Sequence, residues 1–346
     1  MNTVFVIGAG ASKEVNLPTG NELKSRIAEL LDIRYSISQK ISGDDLITYA
    51  LHSLAKIDHR QPGDINPYLV ESWHIRDALP QAISIDNFID SQKGNDKIAT
   101  CGKLAIIRSI LEAEKNSKLY HIKKDGHNKY SFSMLGKTWY ESFFQILCEN
   151  CSKNDIENRF KKISLIIFNY DRCVEHFIYH ALQNYYRITE TQAAGLMKTI
   201  KIYHPYGIVG SLPWQNLTHA NIEYGGEPNP QQLIDLSKTI KTFTEGTDPQ
   251  SSEIDEIKNH MILADKIIYL GFAFHKLNMQ LLTPKVKPPK KHISFYASAL
   301  GISEDNVEVI KKQIADSYSP TKVTVKMINK NCHGVFEEYW KSISFA

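Results

Sequence analysis

Three short clusters hold the residue types from which a reactive site can be built. The first is Gly8-Ala9-Gly10-Ala11-Ser12, a run of small residues directly after the apolar stretch Val4–Ile7. Small side chains there let backbone N–H groups approach a pyrophosphate at the start of a helix. The second is Asn169-Tyr170-Asp171, an amide and a carboxylate two positions apart, and the third is His204-Pro205-Tyr206-Gly207. A carboxylate stabilises developing positive charge, an amide orients a water or a hydroxyl, and an imidazole exchanges protons near neutrality. Each cluster also has a packing reading. A glycine turn can serve close backbone contact alone, Asn169 can stabilise a turn, Asp171 can cap the following helix, and His204 can be a satisfied core histidine. Their common position immediately after predicted strands favours chemistry, because ligands of open α/β sheets lie outside the carboxyl ends of the strands.

The common nucleotide-binding signatures do not fit. GxxxxGK[ST] is absent, and the GxGxxG pattern fails at its third glycine, where Lys13 stands. The acid that a dehydrogenase places about twenty residues on is also missing, since Glu29 and Asp32 fall in or at the end of the first predicted helix. Cys148 and Cys151 form one CxxC, half of a zinc site or a redox pair. Apolar residues at helical spacing from Trp139 to Cys151 make buried thiols the better reading, and Cys332-His333 has no partners at metal-ligand spacing.

Positioning these clusters requires alternating strands and helices. Val4–Ile7 reads as a buried strand, and Thr19–Asp32 as a helix opened by a capping box of Thr19 with Glu22. From about Arg34 to Lys161 no comparable strand occurs. Amphipathic stretches at Leu46–Ile57, Lys97–Glu112 and Met134–Cys151 suggest a helical insertion instead. Strand signals resume at Ser164–Phe168, Ile200–Tyr203, Lys266–Leu270, His292–Ala297 and Lys322–Met327, most of them followed by helical patterns. The fold class is therefore α/β, with a first βα unit at 1–33, a helical insertion at 34–161 and the remaining βα units at 162–346. Tyr224–Gln231 reads as a turn-rich loop, and Thr283–Lys291 as a loop bearing Lys285, Lys287, Lys290 and Lys291.

Bulk properties exclude several classes. With 346 residues, 42% hydrophobic and 23% charged, the chain has the composition of a folded globular protein. A net charge of +3 falls short of the strongly basic surface of a dedicated nucleic-acid binder, so nucleic-acid contact is expected to be indirect at most. No apolar run approaches the roughly 18 residues of a membrane span or has the layout of a secretory leader. The five cysteines are read as reduced thiols of a cytoplasmic protein.

Taken in order, these segments resemble the sirtuin superfamily, and more closely its bacterial sirtuin-like branch from antiphage defence systems. Val4–Ser12 with Leu17-Pro18-Thr19 is similar to that branch's opening strand and GAGAS loop, and Phe168-Asn169-Tyr170-Asp171 with Glu175 to its TNYD motif. His204–Gly207 with Gly210-Ser211 resembles its catalytic histidine segment, Leu270–Phe274 with Asn278 its later nucleotide loop, and Ser84–Phe88 a short acidic motif. The likeness runs from the N-terminus to about residue 301. It implies a Rossmann-like open, mainly parallel sheet with helices on both faces, and an NAD site. Asn169, Asp171 and His204 would be catalytic, with Gly8, Ala9, Gly10, Ala11, Ser12, Gly207, Gly271, Phe272 and Ser298 around the nucleotide.

Two departures bear on the reaction. The zinc ribbon of protein deacetylases needs two CxxC pairs and this chain has one, so no zinc is expected and NAD is a substrate to be hydrolysed rather than a co-substrate of deacylation. Pro205 and Tyr206 separate His204 from the glycine that usually follows it directly. The resemblance thus implies an NAD glycohydrolase that depletes NAD in antiphage defence. It also suggests a homo-oligomer with a hexameric HerA-type ATPase as partner. The alternative is an NAD- or ADP-ribose-binding regulatory or assembly subunit with little turnover. Asp86, in the first turn of a predicted helix, is read as dipole-stabilised rather than catalytic.

Overall fold

β-Branched and aromatic residues form the first strand, β1 (Thr3–Ile7), and every one of its residues is buried. Phe5 and Ile7 enter one hydrophobic core while Val4 and Val6 enter another, so the strand is covered on both faces, as its unbroken apolar character requires. This is a computed structural model that describes all residues except 38, 59–62, 122–131, 216–219, 243–244, 246–251, 285, 287–291 and 346. The four lysines of the basic loop lie outside the described residues.

Two strands after β1, β2 (Arg34–Ser36) and β3 (Gln39–Ser42), form an antiparallel hairpin of their own. The main sheet adds β4 (Ile163–Ile167), β5 (Lys201–Tyr203), β6 (Lys266–Leu270), β7 (His292–Ser298) and β8 (Lys322–Ile328). Its order is β5-β4-β1-β6-β7-β8, with every pairing parallel. Counted within this sheet alone, the order is 3-2-1-4-5-6, the doubly wound arrangement in which the chain reverses direction between the first and fourth strands. The fold is α/β and Rossmann-like, with its topological switch point between β1 and β6.

Helices cover both faces. Residues of the helices Trp139–Cys148, Cys173–Tyr186 and Cys332–Ile343 pack on the Phe5 and Ile7 face. Those of Ser252–Leu263 and Glu304–Ser317 pack on the Val4 and Val6 face. A third core joins the helices Gly20–Leu31, Asp45–Ile57, Asn66–Ala78, Ile85–Ser91 and Asp96–Lys115 to Pro230–Ser237 from much later in the chain. This helical layer reaches the sheet through Tyr170 and Tyr206, beside the second and third polar clusters. Residues 34–161 thus serve two cores, since Trp139–Cys148 belongs to the sheet.

Local signals account for several boundaries. Thr19 is the cap of Gly20–Leu31, where the Glu22 carboxylate accepts from the Thr19 N–H at 2.8 Å and from its hydroxyl at 2.9 Å. The expectation of no strand after Arg34 is corrected by the β2–β3 hairpin, which is short and largely exposed and so carries no hydrophobic run to read. The Tyr224–Gln231 stretch turns into a helix at Pro230, capped by the Asn229 side chain, which accepts from Gln232 N at 2.9 Å. No helix among the described residues is long and apolar enough to cross a membrane.

Candidate functional site

Strand register brings the polar clusters together. Ile7 at the end of β1 lies opposite Ile167 of β4 and Leu270 of β6, and Tyr203 of β5 lies opposite Ile166. The residues that follow these strands, Gly8, Phe168-Asn169, Gly271 and His204, therefore leave the sheet at one edge.

Ser12 links the first two clusters. It is 1% exposed, its Oγ donates to Asp171 Oδ2 at 2.9 Å, and it accepts from Asn169 Nδ2 at 3.1 Å. The Asn169 amide also donates to the Gly8 carbonyl at 3.1 Å, an acceptor-only partner that fixes which way the amide points. Asp171 Oδ1 accepts the N–H of Cys173 at 3.1 Å. Asp171 thus holds the first N–H of the helix Cys173–Tyr186, whose cap residue is Arg172, with one oxygen and Ser12 with the other. Burial raises its pKa, against the lowering pull of Cys173 and Ser12.

One group in this network is unmatched. Asn169 Oδ1 is buried and has no hydrogen-bond partner. Leaving such an acceptor unpaired costs about 1–3 kcal/mol, a cost that a donor brought by a ligand or water would remove.

His204 is held from both sides of its ring. Nε2 lies 2.5 Å from Glu175 Oε1, and Nδ1 lies 3.2 Å from the carbonyl oxygen of Asn169. Burial opposes protonation of this ring, but the Glu175 carboxylate, the Asn169 carbonyl and Asp171 together outweigh it and raise the pKa above the usual histidine value. Glu175 is itself buried, and its second oxygen has no hydrogen-bond partner. The imidazole is therefore oriented by a carboxylate, as an acid–base group requires.

The small residues of the first turn have a second explanation. Gly271 adopts φ +57°, and a Cβ there would lie 2.0 Å from the Ala11 nitrogen. A Cβ on Gly8 or Gly10 would lie 2.5 or 2.9 Å from the Gly271 carbonyl oxygen. Close approach of the two loops at the switch point thus demands glycine on both sides. The amides of Gly8, Gly10 and Ala11 donate to the carbonyls of Leu270, Gly271 and Gly8. Ala9 and Gly10 are half-buried, Ala11 and Ser12 are buried, and the Ala11 carbonyl accepts from the Trp139 indole at 2.9 Å.

The remaining expected nucleotide residues lie in supporting positions. Ser298 Oγ accepts from the Gly271 N–H at 2.8 Å, so it braces the loop. Phe272 is buried in the core, edge-on to Phe168 with ring centroids 5.2 Å apart. Gly207 turns the chain with φ +75°, and a Cβ there would lie 1.9 Å from the Thr239 carbonyl oxygen. Cys148 is buried and Cys151 half-buried, both as free thiols. No known protein-family profile matches this chain, and no curated protein matches it.

Three groupings were not assigned from the sequence. Glu175 appears there only within a motif, and its contact with His204 depends on how the helix after β4 packs against the end of β5. Asp86 does sit in the first turn of Ile85–Ser91, as expected. Burial nevertheless outweighs a hydrogen bond from its own backbone and pushes its carboxyl pKa up to about 7. Its charge also adds to the burial that raises the Tyr206 hydroxyl, whose oxygen donates to Asn278 Oδ1 at 2.5 Å. Finally, His121, His176 and His180 gather behind the site. The spacing of His176 and His180 is a legible signal on a helix, but the approach of His121 is not.

Proposed function

We propose that this chain is a sirtuin-like NAD hydrolase that cleaves the bond between nicotinamide and ribose. The observation that carries the reading is the buried Ser12–Asn169–Asp171 network beside the His204–Glu175 pair, at the carboxyl ends of strands in a 3-2-1-4-5-6 sheet. The unmatched Asn169 Oδ1 supplies an acceptor for a ribose hydroxyl or the attacking water.

As the C1′–N bond breaks, positive charge develops on the ribose, and the Asp171 carboxylate stabilises it electrostatically. Asn169 orients the water, and neutral His204, its Nε2–H kept on Glu175 and its Nδ1 turned from the Asn169 carbonyl toward the substrate, takes a proton from that water or from a ribose hydroxyl, a contribution of about two to four powers of ten. Water adds at C1′, nicotinamide departs with the bonding pair, and the products are nicotinamide, ADP-ribose and a proton. Because Glu175 raises the His204 pKa, the base works best above the usual histidine range. The pyrophosphate is assigned to the half-buried Ala9–Gly10 face of the turn, against which Gly271 packs, braced by Ser298, while Gly207 turns the chain against Thr239 and Phe272 packs on Phe168.

The second reading, a binding subunit with little turnover, draws on the engagement of Asp171 and His204 in internal hydrogen bonds. A role in antiphage defence, cytoplasmic residence, homo-oligomerisation and a HerA-type ATPase partner are further proposals that rest on the family resemblance. Incubating the purified chain with NAD, alone and with the product of its neighbouring gene, and separating the products by chromatography tests the hydrolase reading. Nicotinamide release that disappears in Asn169→Ala and His204→Ala supports it. Its absence from the wild type in both preparations overturns it, and tight NAD binding in that case favours the binding subunit.

A further inference from the structure

Behind the site, the helix Cys173–Tyr186 carries two histidines four residues apart, His176 and His180, on one helical face. His121, from the chain beyond the helix Asp96–Lys115, meets them there. One ligand atom from each of the three lies within 4.8 Å of those of the other two. Ring centroids are 4.5 Å apart for His176 and His180, 5.0 Å for His121 and His180, and 5.9 Å for His121 and His176.

The surroundings resemble those of a built ligand set rather than an accidental gathering of rings. His176 stacks on Tyr224 at 4.0 Å with an 8° tilt, and its Nε2 lies 3.2 Å from the Leu119 carbonyl oxygen. An Nε2–H donated to that carbonyl leaves the lone pair on Nδ1, the way a backbone carbonyl fixes the tautomer of a metal-binding histidine. Tyr224 is itself fixed, its hydroxyl 3.1 Å from both Ser117 Oγ and Cys173 Sγ. The buried cation Arg172 nearby is neutralised by Glu114 through a contact of 2.5 Å. His121 and His180 are half-buried.

We infer that His121, His176 and His180 form a binding site for a first-row transition dication, with Zn²⁺ as the ion that three neutral imidazoles suit best. Zinc–nitrogen bonds of about 2.0–2.1 Å at tetrahedral angles place the nitrogens about 3.3 Å apart, so the two half-buried rings close on the ion by rotation. This site is separate from the CxxC whose incompleteness argued against a zinc ribbon, and it does not depend on NAD chemistry. It braces the helix whose first turn carries Cys173 and Glu175, the partners of Asp171 and His204.

The test is a titration of the chelator-stripped full chain with Co²⁺ followed by visible absorption, together with elemental analysis after equilibration with Zn²⁺. One equivalent is expected, with tetrahedral d–d bands and without the thiolate charge-transfer band that cysteine ligation would add. His121→Gln and His180→Gln should each weaken binding at least about 100-fold. Zn²⁺ should raise the Tm of the wild type but not that of the double variant, whose fold is checked by circular dichroism. Because the wild-type titration is decisive by itself, misfolding of a variant does not shield the inference. Failure of the wild type to take up one equivalent at micromolar metal overturns it, as does a thiolate band or full uptake by a folded double variant.

Discussion

Replacing Ser12 by alanine separates two roles that its position after β1 leaves open. If Ser12 contacts the pyrophosphate of bound NAD, its loss weakens substrate binding and raises KM. The structure instead puts its hydroxyl between Asp171 at 2.9 Å and Asn169 at 3.1 Å, all three buried. Ser12→Ala then removes one hydrogen bond to a carboxylate, about 1.5–3 kcal/mol, and one to an amide, about 0.5–1.5 kcal/mol. Asn169 retains the Gly8 carbonyl and Asp171 retains the Cys173 N–H, so the loss is partial. Unfolding in urea should show a destabilisation of roughly 2–4 kcal/mol. If the carboxylate bond is what holds Asp171 in the geometry of the transition state, kcat for nicotinamide release falls about tenfold to a hundredfold. KM for NAD should stay within about twofold, because ground-state contacts are untouched. A raised KM with unchanged kcat would refute the reasoning, and so would a stability loss below about 0.5 kcal/mol. The unfolding measurement stands even if the chain turns out to hydrolyse nothing.

The other predictions concern charge and backbone. In Glu175→Gln the carboxylate that raises the His204 pKa is gone, so the ascending acid limb of the pH–kcat/KM profile should move to lower pH; an unmoved limb would mean that His204 is not the base or that Glu175 does not tune it. Asp86, with a folded pKa of about 7 against an ordinary 3.8, destabilises the fold at pH above about 7, and this penalty fades as pH falls toward 4. Asp86→Asn should accordingly gain roughly 2–4 kcal/mol at pH 8, with allowance for the residue's partial exposure, and almost nothing at pH 4, as read by urea unfolding at both values. Gly271→Ala places a Cβ against backbone at positive φ and should cost more than about 3 kcal/mol or abolish soluble expression. Gly195→Ala, inside the helix Glu190–Met197 with nothing within 4 Å of the added Cβ, should instead stabilise by about 0.5–1 kcal/mol.

Much of the sheet was legible in the sequence because each buried parallel strand must be a short, nearly continuous apolar run. Lys266–Leu270 is found as expected, Ser164–Phe168 moves back by one residue to Ile163–Ile167, and the other core strands differ by one residue at one end. The exposed hairpin β2–β3 was not legible, since residues facing solvent on both sides obey no hydrophobic pattern. The helix Pro230–Ser237 begins inside the expected Tyr224–Gln231 loop, where glycines and prolines before its cap mask the start of a helical pattern. The polar residues themselves were visible by type. Their meeting was an inference from the rule that loops after parallel strands share one edge, and Ile7, Ile167 and Leu270 do end in register.

What the sequence by itself determined is therefore the set of elements and the inventory of reactive groups, since both follow from local patterns of burial and turn chemistry. Only the tertiary structure decided which group touches which. It made Ser12 a bridge between Asn169 and Asp171 and paired Glu175 with His204. It assigned Gly8 and Gly10 to a backbone contact with Gly271, and it drew His121 to a helix face more than fifty positions along the chain. Such contacts depend on interatomic distances fixed by packing across the fold, and no spacing along the chain encodes those distances.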